Sequence, residues 1–195
     1  MLRKVREFEE AIAKYFGAPY AVATDCCTHA LELSLRHTNA KQAFCPDSTY
    51  ISVPFTLLKL GVDFQFIPLS WTNYYYLTPV VIDAATLWEK DSYVFGTFMC
   101  LSFQFQKPLN LGRGGVILCP TKEDYDQLKK MAYDGRCDDK PWAEQDINSI
   151  GYHYYMTPET AMLGLEKMPH VKSDKVWTWQ DYPYLPSMSV FNERK

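Results

Sequence analysis

Apolar residues recur along this chain with two periods, and the alternation between them divides it into elements. Val5, Phe8, Ile12 and Tyr15-Phe16 follow helical spacing, so residues ~3–16 are predicted as an amphipathic helix ended by Gly17. "YAVAT", residues 20–24, is a short buried strand, and "DCCTHALELSLRH" is a helix capped at Asp25 or its neighbour. "AFCP" is a strand stopped by Pro46, followed by a helix in "TYISVPFTLLKLG" and a strand in "VDFQFIPL". Three more apolar runs, "PVVID", "FMCLSF" and "GGVILCP", read as strands. "TKEDYDQLKKMAYDG" is a capped helix, and "TPETAMLGLEKM" is a helix opened by Thr157-Pro158-Glu159.

Strands that alternate with helices predict βαβ units and an α/β fold: a three-layer sandwich around a mostly parallel sheet, with residues 98–119 as a locally antiparallel addition. In such sheets ligands gather beyond the carboxyl ends of the strands. The compact domain is expected over residues 1–168, with an irregular Trp- and Pro-rich tail over 169–195 that covers the domain or a partner subunit.

Composition narrows the function classes. The 195 residues are 47% hydrophobic, enough for a sizeable core, and the 15% aromatic content suits pockets and interfaces as well. A net charge of −3 leaves no basic footprint for nucleic acid. No apolar run approaches the ~20 residues of a membrane span, and the N-terminus is too charged for a signal peptide. The six cysteines form no C-x-x-C pair, so buried free thiols in a cytoplasmic protein are expected, and no zinc site.

Three features fall at strand ends or helix starts. The turn Thr24-Asp25-Cys26-Cys27-Thr28 offers backbone amides to an anion such as phosphate. Asp83 closes the apolar run "VVID", where a carboxylate is costly unless a cation or proton meets it. Lys107 follows the strand that carries Ser102. Each alone has a bland explanation: an ordinary cap, a turn cap, a solvated loop lysine. Together they match one ligand, pyridoxal 5′-phosphate (PLP), which needs an aldehyde-accepting lysine, a carboxylate at its pyridine nitrogen and a phosphate cradle. "LGRGG" lacks the P-loop pattern and reads as a turn, with Arg113 either solvated or facing an acidic substrate. For Tyr74-Tyr75-Tyr76, core and interface roles outweigh a binding role.

"FEEAIAKYFGAPYAVATDCCTHALELSL", "VVIDAA", "SFQFQKPLNLGRGGVIL" and "GYHYYMTPETAMLGL" carry a resemblance over most of residues 7–168. The chain resembles a short member of the DegT/DnrJ/EryC1/StrS family of sugar aminotransferases, a branch of the fold-type I PLP enzymes. The resemblance implies that Lys107 forms the internal aldimine, that Asp83 faces the pyridine nitrogen, and that Ser102, Cys27 and Thr28 hold the phosphate. It further implies that Tyr50 stacks on the cofactor ring and that His153 reaches the phosphate of a neighbouring subunit. Departures are Thr86, placed among the cofactor contacts but shorter than the Gln or His the family often has there, His153 in place of an asparagine, and Tyr155 in place of a basic residue. At about half the usual length, the chain leaves little for the family's small domain, a compactness expected of a virus or phage genome.

The function implied is amino transfer from an amino acid, glutamate or a similar donor, to a keto-sugar linked to a nucleotide, in a cytoplasmic homodimer with its active site at the interface. The alternative is a non-catalytic relative that retains the fold to bind PLP, another ligand or a partner. A sugar dehydratase of the same fold is disfavoured, because such relatives carry histidine where Lys107 stands.

Overall fold

The computed structural model describes residues 2–172 and 175–192; Met1 and, from the expected tail, residues 173–174 and 193–195 lie outside the described residues. The helices are α1 (Arg3–Phe16), α2 (Cys27–His37), α3 (Ser52–Leu60), α4 (Lys122–Ala132), α5 (Pro158–Lys167) and α6 (Ser189–Asn192). The strands are β1 (Tyr20–Thr24), β2 (Gln42–Pro46), β3 (Asp63–Ile67), β4 (Tyr75–Tyr76), β5 (Val81–Asp83), β6 (Phe98–Ser102) and β7 (Gly115–Cys119). Local chemistry fixes several ends as the sequence predicted. Gly17 and Gly61 close α1 and α3 in the left-handed conformation. The Thr121 and Thr157 hydroxyls accept the Asp124 and Thr160 N–H groups at the starts of α4 and α5.

The fold is α/β, with the pairing more mixed than the alternation predicted. The main sheet runs β1-β7-β6-β5-β4, and only β5–β6 within it is parallel. The chain turns back after β6, as expected over residues 98–119, but β7 then inserts between β6 and β1, antiparallel to both, and β4 adds an antiparallel pair with β5. The expected parallel βαβ unit does form, as β2-α3-β3, but in a separate two-stranded sheet. A backbone bond, Phe44 N–H to the Leu77 carbonyl at 2.9 Å, links that pair to the chain beside β4.

Helices cover both faces of the main sheet. On one, Val5, Phe8, Ile12 and Phe16 of α1 and Ala161 of α5 pack on Ala21, Met99, Leu101 and Leu118. Burial of each large side chain contributes about 1.5–3 kcal/mol. Gly164 lets α5 approach α1 closely, since a Cβ there would lie 2.4 Å from the Phe8 ring. On the other face, Leu31, Leu33 and Leu35 of α2, Leu57 of α3 and Leu128 of α4 pack on Val22, Cys100 and Ile117. All six cysteines are free, and Cys27, Cys45, Cys100 and Cys119 are buried. No described helix is long and apolar enough to cross a membrane.

Candidate active site

Thr24, Asp83 and Ser102 are the last residues of β1, β5 and β6, and Gly115 pairs with both Thr24 and Ser102. These ends meet at one edge of the sheet, beside a cavity of about 390 Å³. Cys27, Thr28, Tyr50, Asp83, Thr86, Ser102 and Lys107, each singled out from the sequence, all line it.

One wall is the start of α2. Its N-cap residue is Cys26, in extended conformation, and no side chain caps the first turn, so its amides keep their capacity for an anion. The Thr28 hydroxyl lies 2.9 Å from that of Ser52, which also lines the cavity. Ser102 Oγ accepts the Gln104 N–H at 3.4 Å. Gly115 is what allows this wall to sit on the sheet: a Cβ there would lie 2.5 Å from Cys26 C and Cys27 N. The requirement is close backbone approach, where the sequence suggested only a turn. Burial, with help from Asp83 and Cys100, raises the Cys27 thiol well above its ordinary value, so it stands here as a small neutral group.

The floor carries the acid. Asp83 is 5% exposed; its Oδ2 accepts the Tyr75 hydroxyl and its Oδ1 accepts the Ala85 N–H at 3.0 Å. The Tyr75 oxygen also meets the Thr49 hydroxyl. The β4–β5 register sets Tyr75 opposite Asp83. Burial raises the Asp83 carboxyl above its usual range, while Tyr75, the Ala85 amide and Lys107 pull it back. Thr86 is buried nearby, its hydroxyl donating to the Asn73 carbonyl at 2.7 Å.

Lys107 enters from the loop after β6. Its backbone N–H donates to the Gln104 carbonyl at 2.8 Å, and buried Leu109 and Leu111 anchor the loop behind it. Burial lowers the ammonium below its ordinary value; Asp83 and Cys27 oppose that shift and Lys175 adds to it. A half-buried lysine of this kind supplies the neutral amine more readily than a solvated one.

At the rim, Tyr50 is 60% exposed. Arg113, left open by the sequence, donates to Asp25 Oδ2 at 2.9 Å, and Asp25 Oδ1 lies 2.6 Å from His29 Nδ1. Asp25, Cys26 and His29 have ligand atoms within 4.8 Å of one another, but the Arg113 cation already occupies this carboxylate. His153 does not line the cavity of its own chain: it lies exposed on the surface, 3.0 Å from Asp134 Oδ2. Its neighbour Tyr154 accepts the Asp25 N–H on its carbonyl and stacks on His29 with ring centres 3.6 Å apart. The sequence missed Tyr75, Thr49, Ser52 and the tail residues Trp177, Asp181 and Tyr182, which also line the cavity.

The family model of the DegT/DnrJ/EryC1/StrS aminotransferases matches residues 2–87 and 84–176. No curated protein matches the chain. Among solved structures, a Bacillus cereus protein described as a PLP-dependent aminotransferase superposes with a TM-score of 0.71 at 18% identity, over 91% of this chain and 59% of its own. A DegT DnrJ EryC1 StrS aminotransferase from Brucella abortus gives 0.72 at 19% identity, over 86% and 58%. The sugar aminotransferase CalS13 from Micromonospora echinospora gives 0.68 at 16%, over 86% and 60%. At such identities the likeness is one of fold, and the chain spans less than two thirds of each of these three proteins.

Proposed function

This chain belongs to the DegT/DnrJ/EryC1/StrS aminotransferase family, and from that premise we propose that its cavity holds PLP and that the protein transfers an amino group from an amino acid, glutamate or a similar donor, to a nucleotide-linked keto-sugar. The observation that carries this reading is the meeting of a half-buried amine, Lys107, a buried carboxylate, Asp83, and the hydroxyl-lined start of α2 around one cavity of about 390 Å³. That volume lies within the ~300–1,000 Å³ of small-molecule sites.

The residues fit the cofactor group by group. The Thr28, Ser52 and Ser102 hydroxyls and the uncapped amides of α2 would hold the phosphate. Asp83 would hold a proton on the ring nitrogen, and that cation would offset the carboxylate's burial. Tyr50 would cover the ring and Lys107 would bond to the aldehyde carbon. When bound, PLP supplies the electron sink that makes the donor's α-proton acidic. Once the donor's amine has displaced it from the aldehyde carbon, Lys107 Nζ would be free to take that proton, a general-base role that contributes about 10²–10⁴-fold. The working form in this reading is a cytoplasmic homodimer, in which His153 reaches the partner's phosphate and the exposed Tyr50 and Phe105 meet the second subunit.

The test is covalent trapping. The protein is loaded with PLP, reduced with borohydride and digested, and the peptides are weighed. The label is expected on Lys107, and Lys107→Ala is expected to lose both the visible absorbance band and the label. A label elsewhere, or normal amino transfer by Lys107→Ala, overturns the assignment. A label on Lys107 without transfer from glutamate or any other amino acid to a keto-sugar nucleotide overturns the transaminase reading and leaves a PLP-binding relative.

A further inference from the structure

The C-terminal segment crosses the cavity mouth and is tied down at several places, among them the following. The Asn73 N–H donates to the Trp177 carbonyl at 2.8 Å, and the Trp177 N–H donates to Asn73 Oδ1 at 3.1 Å. Thr72 and Thr178 form an antiparallel bridge beside them. Further on, Leu185 is fully buried and its N–H donates to the Asp47 carbonyl at 2.7 Å. Between these ties, Trp177, Asp181 and Tyr182 complete the cavity wall. Lys107 Nζ lies 4.9 Å from the centre of the Trp177 ring, and Lys175 Nζ lies 3.3 Å from the same centre.

We propose that Trp177 is a positioning residue for Lys107: residues 176–182 form a strap that holds the indole against the amine, shields it from water and fixes its place in the cavity, with Lys175 as a second cation on the same ring. The consequence for amino transfer rests on the role given to Lys107 above; the shielding itself does not.

The groups that act on the amine come from several elements: Asp83 ends β5, Cys27 opens α2, and Lys175 belongs to the C-terminal segment. Asp181 and Tyr182 of that segment line the same cavity. Removal of the indole has two opposed effects. It exposes the amine, which favours the ammonium, and it removes a π face, which disfavours it. Burial is the largest influence on Lys107, so exposure prevails.

The test uses the cofactor-free full chain. Reductive methylation with formaldehyde and cyanoborohydride, followed by peptide mass spectrometry, gives the labelling rate of Lys107 against pH. Lys90, with its side chain 72% exposed, serves as internal reference. Wild-type Lys107 is expected to label much more slowly than Lys90. Trp177→Ala is expected to speed it about tenfold by raising the open population, and to move the midpoint of its pH profile upward. Trp177→Phe is expected to keep most of the protection. Lys175→Gln is expected to move the midpoint upward as well, because a like charge is lost.

Asn73→Gly removes the Oδ1 bond to the Trp177 N–H, keeps the backbone bond beside it and does not touch the amine. It is expected to speed labelling about fivefold, the effect of one hydrogen bond of ~1 kcal/mol. That variant decides the matter if Trp177→Ala does not fold. Wild-type Lys107 that labels as fast as Lys90, or variants of Trp177 and Asn73 with wild-type rates and midpoint, overturn the proposal. Failure of PLP trapping with these effects intact counts against the transaminase reading and not against the strap.

Discussion

Tyr75→Phe removes one hydroxyl from the cavity floor and leaves the packing of the ring unchanged. In the wild type that hydroxyl donates to Asp83 Oδ2 and meets Thr49 Oγ1. Tyr75, Asp83 and Thr49 are 4%, 5% and 2% exposed, so no solvent replaces the lost partner. A hydrogen bond to a charged group is worth about 1.5–3 kcal/mol, and an orphaned buried hydroxyl adds about 1 kcal/mol. The cofactor-free variant is therefore expected to lose about 2.5–4 kcal/mol near pH 8.

The loss depends on pH, and its sign follows from Asp83. Burial raises this carboxyl above its ordinary 3.8, and the Tyr75 bond pulls it partly back. A carboxyl raised in the native state keeps a proton that the unfolded chain releases. Stability then falls as pH rises from 3.8 through the native value and is level above it. Without the Tyr75 hydroxyl the native value climbs further, so the penalty is largest at pH 8 and smaller near pH 4. Urea unfolding of both proteins at the two pH values measures this, and Asp83→Asn closes a double-mutant cycle. An equal loss at both pH values, or a loss under about 0.5 kcal/mol at pH 8, would refute the view that Tyr75 supports the Asp83 charge.

Two further outcomes follow from the wall and rim. Gly115→Ala places a Cβ 2.5 Å from the backbone of Cys26 and Cys27, which cannot turn aside like a side chain. It is expected to cost about 3 kcal/mol or more in urea unfolding and to weaken PLP binding in a spectroscopic titration together with stability. Burial draws the His29 ring down, but its bonds to Asp25 and Cys26 more than offset this and leave it pushed up to about 9. A base raised in the native state stabilises fully below 6.5 and loses that contribution as pH rises through about 9. Asp25→Asn is expected to flatten that slope in thermal unfolding between pH 6 and 10, and an unchanged slope would exclude the pair as its source.

How much was legible depended on how local each feature is. Asp83, Ser102 and Thr28 stand where an apolar run stops or a helix begins, and such positions can be read from a few neighbouring residues. Strand order was less legible: alternation records which elements exist, not that β7 would insert between β1 and β6. Tyr75 shows the same limit at one residue. Three successive tyrosines fix an alternation of faces, but only the β4–β5 register decides that the middle one meets Asp83.

Thr86 and Trp177 carry that reasoning furthest. By sequence, Thr86 is a shorter residue where the family often has Gln or His, so it reads as a shortened contact to the cofactor. In the fold its hydroxyl is committed to the Asn73 carbonyl, and Asn73, held at φ 60, grips Trp177 through both its backbone and its side chain. Residue 86 and the tail therefore act on one structure, the strap over Lys107. The short residue and the Trp-bearing tail are then two parts of one arrangement, and neither is interpretable from its own stretch of sequence.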